Sequence, residues 1–483
     1  MDISSIAELF PAYFTAEQRA QAQTVFLKQV SLEAHRFYAG KMQTVPKCLV
    51  DGLPWFNVWY TPGVSGVSTA IRSDNDESFT LSNRGNLVAV VSDSTRVLGD
   101  GDCTPAGGLG VMEGKALLMK YLGGIDAVAL CLDSRGEDGT PQAHKLIDAV
   151  QMLQPSFGAI NLEDISQPNC YRVLDTLRET CDIPVWHDDA QGTACITLAA
   201  LINALSLAGK QLSAARIVFL GAGAANTSIA RFIINDGGDP ARCVLFDKYG
   251  ALHTGRRDLH DNPALYRQWE LCQTTNPQQC SRFEDAIRGA DVLIALSAPG
   301  PGTVKAEWIQ LMAKKAIVFA CANPIPEIWP STAKEAGAFI VATGRGDFPN
   351  QINNSLCFPG ILKGALLVRS RKITERMALR CAHSIADFSR RRGISPDNII
   401  ARMDETEVFA LEAADVGRQA IADGVARLNL SWEQLYGAAQ SEARAARELT
   451  VDLNRLGYTA PFPQTLLEKA ALAAVAAVKA QNG

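Results

Sequence analysis

The sequence predicts an α/β protein built from two successive parallel sheets, each flanked by helices, with a helical end. Three observations predict it. From residue 86 onward, apolar runs of strand length alternate with longer helical patterns, and buried β runs separated by helices imply a parallel sheet covered on both faces. A second, more regular series of the same kind starts at residue 216. Past about residue 380 the strand-length runs stop and helical patterns continue alone.

Taken in order, residues 1–60 read as helices with a proline-containing connection, YAGKMQTVPKCLVDGLPW (38–55). NLVAVVSD (86–93) reads as the first strand, followed by a glycine-rich loop and a helix through MEGKALLMKYL (112–122). AVALCLD (127–133), AINLED (159–164) and IPVWHDD (183–189) each precede a helical pattern, the last being GTACITLAALINALSLAG (192–209). The second series comprises RIVFLGAGAAN (216–226), RCVLFD (242–247), ADVLIALSAPG (290–300), KAIVFACANP (315–324) and AFIVATGR (338–345). That regular alternation is a doubly wound pattern. The expected boundaries lie near 195, inside the helix after HDDAQGT, and near 380; LLEKAALAAVAAVKA (466–480) reads as a packing or oligomerisation helix.

Bulk properties narrow the function. A net charge of -5 gives no electrostatic footprint for nucleic acid or an anionic membrane. The twelve cysteines form no CxxC pair and read as buried, reduced thiols. MDISSIAELF lacks the basic start and apolar stretch of a secretion signal, and no run is read as reaching the ~18–20 apolar residues of a membrane span. A cytoplasmic location is the resulting expectation.

The loop GAGAAN (221–226) follows a strand run and opens a helix. Gly221 permits the tight turn, Gly223 lets backbone approach a pyrophosphate, and Ala224, Ala225 and Asn226 bring the free N–H groups of a helix start. Asp247 ends the next strand 24 residues past Gly223, where a carboxylate can accept from ribose hydroxyls. Together these predict a Rossmann-type dinucleotide-binding unit. Asn226 departs from the usual small third residue, which would set the helix slightly further out. NAD is expected over NADP, because a 2′-phosphate would meet Asp247; Lys248 could swing toward such a phosphate. His253, Arg256 and Arg257 either assist it or form a solvated turn.

Two carboxylate pairs, Glu163-Asp164 and Asp188-Asp189, close predicted parallel strands. Each pair alone reads more readily as a helix N-cap. Together, beside a dinucleotide fold, they read as a metal site, because clustered acids repel unless a cation neutralises them. Hard oxygen ligands suit Mg²⁺ or Mn²⁺. Alone, Lys115 would be a solvated helix lysine and Tyr60 an aromatic anchor.

YTPGV (60–64), LGDGD (98–102), MEGKAL (112–117), INLEDI (160–165), HDDAQGTA (187–194), GAGAA, SAPG (297–300), ANPIPEI (322–328) and ATGRGDFPNQINN (342–354) occur in this order. In them the chain resembles the malic enzyme family, most closely its shorter, bacterial-type members, over roughly residues 40–430. The resemblance implies oxidative decarboxylation of malate to pyruvate and CO₂ with NAD or NADP, Mg²⁺ or Mn²⁺, and a homodimer or homotetramer. It implies metal ligation by Glu163, Asp164 and Asp189, Lys115 as general base assisted by Asp188, and Tyr60 as the acid that protonates enolpyruvate. Arg96 would bind the substrate carboxylate; Asn323 and Asn354 would hold substrate and nicotinamide. The implied domains are 1–195 for substrate and metal, 196–380 for the dinucleotide, and 381–483 as a helical segment packing back on the core.

Asp100, Thr104, Ala190 and the SGVSTAI continuation after YTPGV depart from the family pattern without removing a proposed catalytic group. Two alternatives stay open: a non-oxidative decarboxylase of the same fold, malolactic or acting on oxaloacetate, and a catalytically silent dinucleotide-binding regulator.

Overall fold

The computed structural model describes residues 6, 9–98 and 100–482. Two sheets organise Val45–Ala445, which forms one compact unit. The first sheet contains β1 (Leu87–Ser92), β2 (Asp126–Cys131), β3 (Ala159–Leu162) and β4 (Val185–His187), all parallel in the order β2-β1-β3-β4. Alternation along β1 covers both faces: Val88 and Val90 enter one core, Ala89 and Val91 another, as period-two side chains of a doubly covered strand must.

The second sheet contains β5 (Ile217–Leu220), β6 (Cys243–Asp247), β7 (Gly250–Ala251), β8 (Val292–Ala295), β9 (Ala316–Ala320) and β10 (Ala338–Thr343). Its order is β10-β9-β8-β5-β6-β7, parallel throughout except for the short antiparallel β7. Winding reverses between β5 and β8, so a crevice opens beyond the carboxyl ends of those strands. This is the doubly wound α/β fold the sequence predicts.

The helix Thr193–Ala208 joins the sheets in sequence and is buried on nearly every side. Its apolar residues share one core with Val88 and Val90 of the first sheet and Ile217 and Phe219 of the second. The stretch Asp188–Ala208 is long and apolar enough to cross a membrane by length and composition, contrary to the sequence reading that no run is. Packing between two sheets accounts for that apolarity: 78% of its most apolar 18-residue window is buried in the fold.

The described residues of Met1–Thr44 and Ala446–Gly483 form a second compact unit. Helix Ala16–Tyr38 starts in a capping box at Thr15, and Phe26 and Val30 on it meet Leu467, Ala470 and Ala474 of helix Gln464–Asn482. The expected segment 381–483 is thus divided: Glu407–Ala422 packs on Phe358–Leu367 and Glu375–Arg392, whereas 446–483 pairs with the N-terminus.

Candidate active site

Both carboxylate pairs stand where parallel strands end. β3 stops at Leu162 and delivers Glu163 and Asp164; β4 stops at His187 and delivers Asp188 and Asp189 into a π-helical turn, Asp188–Gly192. Gly192 is demanded there, because a Cβ would come 2.1 Å from Asp188 Oδ1. Adjacent strands therefore bring four acids together. One oxygen each from Glu163, Asp164 and Asp189 lies within 4.8 Å of the others. The Asp164 backbone N–H donates to Asp189 Oδ2 at 2.7 Å, and Asn161 Nδ2 donates to Glu163 Oε2 at 2.9 Å. Asp164 itself sits in the left-handed region, φ 52°.

Lys115 projects from helix Leu109–Gly123 into this group. Its ammonium pairs with the Asp188 carboxylate, lies 3.0 Å from Glu163 Oε1 and donates to Asn354 Oδ1 at 3.4 Å. The Phe358 ring lies beneath it, 4.6 Å from Nζ to centroid. Asp188 is fully buried and held from its other side by Trp186 Nε1, 3.2 Å away.

Charge and burial oppose each other here. Burial works to lower the Lys115 pKa, but Asp188 and Glu163 outweigh it and hold the amine charged, above its ordinary range. Burial pushes Asp164 up to about 8, with the Asp189 charge adding to it. Glu163 and Asp188 are also raised, chiefly by burial, against the pull of Lys115. Asp164 Oδ2 is buried without a hydrogen-bond partner. An orphaned anionic oxygen facing two more carboxylates is costly, and a hard dication is the group this donor set fits.

Lys115, Glu163, Asp164 and Asp189 line a cleft of about 710 Å³. It also takes in Arg96, which follows the carboxyl end of β1. From the second sheet's loops come Gly223, Ala224, Ala225, Asn226, Ser297 and Asn323, and Asn354 and Phe358 line it too. Gly221 has φ 100°, and a Cβ on it would come 2.4 Å from the Leu296 carbonyl, so only glycine fits the turn. A Cβ on Gly223 would meet nothing nearer than Gln167 Oε1 at 4.0 Å, leaving open space in front of the start of helix Ala224–Asn235. Asn226 is fully buried and donates to the Leu220 and Gly221 carbonyls at 3.1 and 2.9 Å. Its amide ties the helix to the strand end where a small residue would pack by contact.

Other expected residues fall elsewhere. Tyr60 ends the short helix Phe56–Trp59, is 71% exposed and does not line the cleft. Asp247 and Lys248 do not line it either. The Asp247 carboxylate takes two hydrogen bonds from Arg256, at 3.0 and 2.6 Å, while Lys248 Nζ lies 4.8 Å over the Tyr249 ring. Arg256 is buried, so its place in a solvated turn is corrected: it braces Asp247.

Two residues stand out only in three dimensions. Glu327, buried, accepts from the Ser297 and Ala322 backbone N–H groups at 2.8 and 3.0 Å. It thereby ties the loops after β8 and β9 that carry Ser297 and Asn323. A lone acid directly after the two prolines of ANPIPEI was the available signal. His187 is fully buried, its Nδ1 3.9 Å from Asp189 Oδ2; burial lowers its pKa, so the ring behind Asp189 is neutral.

Residues 40–178 match the family described as "Malic enzyme, N-terminal domain" and residues 190–421 "Malic enzyme, NAD binding domain". The chain is 38% identical over 429 residues to the bifunctional malic/malolactic enzyme of Bacillus subtilis (strain 168), covering 88% of this chain and 99% of that one. It is 43% identical over 389 residues to the NAD-dependent malic enzyme of Geobacillus stearothermophilus, covering 80% and 78%. Among solved structures, Entamoeba histolytica malic enzyme superposes with a TM-score of 0.96 at 57% identity, covering 99% and 98% of the two chains. Apart from Asp189, which falls between them, the residues lining the cleft lie within the matched segments, and the chain belongs to the malic enzyme family.

Proposed function

We propose that the chain oxidises malate to pyruvate and CO₂ with reduction of a nicotinamide dinucleotide. The observation that carries this reading is the meeting of Lys115 with Asp188, Glu163, Asp164 and Asp189 at the cleft that the glycine-rich loop also lines. Glu163, Asp164 and Asp189 would hold a Mg²⁺ or Mn²⁺ ion, which when bound supplies Lewis-acid stabilisation of the enolate, worth several kcal/mol. The open helix start at Gly223–Asn226 would hold the dinucleotide pyrophosphate, and the nicotinamide supplies the hydride acceptor.

The remaining work falls to side chains. Lys115 takes the C2 hydroxyl proton. It can do so only as a neutral amine, and Asp188, raised by burial and in direct contact, is the carboxyl to which its own proton can move. Arg96 sits where it can pair with a substrate carboxylate, while Asn323 and Asn354 orient substrate and nicotinamide.

The acid for C3 is Tyr60, and we assign it to a second copy of the chain. Leu49, Leu53, Phe56, Val58 and Trp59 flank it with apolar side chains, all exposed. An uncovered apolar patch of this kind marks a protein interface, and a two-fold dimer would cover it symmetrically. We assign the chain to the cytoplasm, in keeping with its twelve free thiols.

Malate, Mn²⁺ and each cofactor in one steady-state assay test the reading. Pyruvate with stoichiometric reduced nicotinamide is expected. Lactate without free reduced nicotinamide would favour the malolactic alternative, which the name of the Bacillus subtilis relative keeps in view.

A further inference from the structure

Behind the cleft, four helical elements converge on a second group of metal-ligating side chains. Cys195 lies in the first turn of helix Thr193–Ala208, and Cys357 caps the start of helix Phe358–Leu367. Cys381 comes from helix Glu375–Arg392 and Glu412 from helix Glu407–Ala422. All four are fully buried.

The three sulfurs lie within 4.8 Å of one another. Cys357 Sγ and Cys381 Sγ are 3.7 Å apart, and Cys381 Sγ is 3.7 Å from Glu412 Oε2. Ligands placed tetrahedrally about a zinc-class ion, with metal–sulfur bonds of ~2.3 Å, stand about 3.8 Å apart. The other carboxyl oxygen, Glu412 Oε1, is buried without a hydrogen-bond partner, an omission that a buried carboxyl needs a reason to carry. Glu412 is crowded into this position, since a Cβ on Gly360 would lie 2.1 Å from its Oε2. Helix Phe358–Leu367 also starts at Cys357, and the positive potential of a helix start favours a thiolate there, against burial, which raises the Cys357 thiol.

We propose that Cys195, Cys357, Cys381 and Glu412 form a second, structural metal site for a thiophilic divalent ion of the zinc class. It is separate in chemistry from the all-oxygen site at Glu163, Asp164 and Asp189. Binding exchanges the ion for the protons of three thiols and one carboxyl, released to solvent, with no change of oxidation state. The ion clamps four helical elements together and fixes the segment that presents Asn354 and Phe358 to the cleft.

The test uses the full-length chain produced in medium supplied with Cd²⁺, a thiophilic probe, then washed with chelator to strip the oxygen site. The expected result is ~1 retained Cd²⁺ per chain, with ultraviolet thiolate-to-metal charge-transfer absorption and a cadmium NMR resonance typical of three sulfur ligands. Cys381→Ser should abolish the retained ion and the absorption; Cys272→Ser, at a buried thiol elsewhere, should leave both intact. Wild-type chain that retains no Cd²⁺, or retains it without thiolate absorption, overturns the proposal. So does a Cys381→Ser chain that keeps the full signal. The wild-type measurement decides even if that variant fails to fold.

Discussion

The carboxylate cluster and the Tyr60 segment are equally conspicuous in the sequence, yet the fold treats them in opposite ways. Glu163, Asp164 and Asp188 are buried, and Asp188 and Glu163 are positioned by Lys115, Trp186 and Asn161. Tyr60 stands out in solvent among exposed apolar neighbours. One region is completed by its own chain and the other is not. On the roles proposed above, the base and metal ligands would form a preorganised unit, while the acid would wait on association.

The largest effect should come from breaking the self-contained region. Asp189→Asn removes one of three anionic ligands, and a Mn²⁺ titration should show a greatly raised metal requirement with turnover collapsed at ordinary concentrations. Lys115→Ala should lower the oxidation step on the order of 10²–10⁴-fold, with partial rescue by small amines. Full turnover by rigorously metal-free protein would refute the carboxylate assignment.

Mixing variants tests the other region directly. Tyr60→Phe and Lys115→Ala chains, each inactive alone, should recover about a quarter of wild-type activity when co-refolded as two-fold dimers, because one site in each mixed dimer is intact. No recovery, from a preparation shown to contain mixed dimers, would place both residues of a site on one chain. Leu53→Asp should shift the sedimentation profile toward monomer and lower activity with it.

Cofactor choice should respond more gently. A 2′-phosphate ~4 Å from the Asp247 carboxylate would be repelled by about 4 kcal/mol at an effective dielectric of 20, and Arg256 offsets part of that charge. Higher kcat/KM with NAD than with NADP is expected, and Asp247→Asn should narrow the ratio about tenfold, or ~1.4 kcal/mol. A tenfold NADP preference lost on Lys248→Ala would hand the choice to the lysine.

The smallest effect concerns pH. The hydrogen bond between His383 Nε2 and Asp236, 2.7 Å, raises the histidine pKa above its ordinary 6.5. Its stabilisation is therefore complete below the unfolded value and lost as pH rises through the folded one. For a partly exposed pair, screened by solvent at the histidine, the gain is a few tenths to about 1 kcal/mol. Denaturant unfolding of His383→Gln should differ from wild type at pH ~6 and converge with it in alkaline buffer; a constant difference would remove the ionic explanation.

What the sequence disclosed follows from which forces are local. Apolar runs such as NLVAVVSD and RIVFLGAG announce strands because burial on both faces leaves their composition little freedom. The acids after β3 and β4 were legible as a group because strand ends share one crevice. The role of Asn226 was not legible, since an amide reaching the Leu220 and Gly221 carbonyls looks in sequence like a lapse from a small-residue rule. Arg256 appeared to belong to a basic turn, and only the folding back of β7 brings it to Asp247. The pairing of the described residues of Met1–Thr44 with those of Ala446–Gly483 joins segments some 400 residues apart, a separation that no local pattern encodes.

The helix Thr193–Ala208 bears on how such a protein can change over generations. Nucleotide-binding halves are attractive units for exchange between genes, and residue 195 would be the natural point of exchange. Here one helix supplies apolar side chains to the core beneath both sheets. A crossover there would pair each half with a foreign partner surface, stranding side chains shaped for the other. Small-to-large and large-to-small misfits of that kind each cost on the order of 1–5 kcal/mol, comparable with the whole stability of a domain. The two halves are therefore bound to drift together, with compensating substitutions on either side of one shared helix.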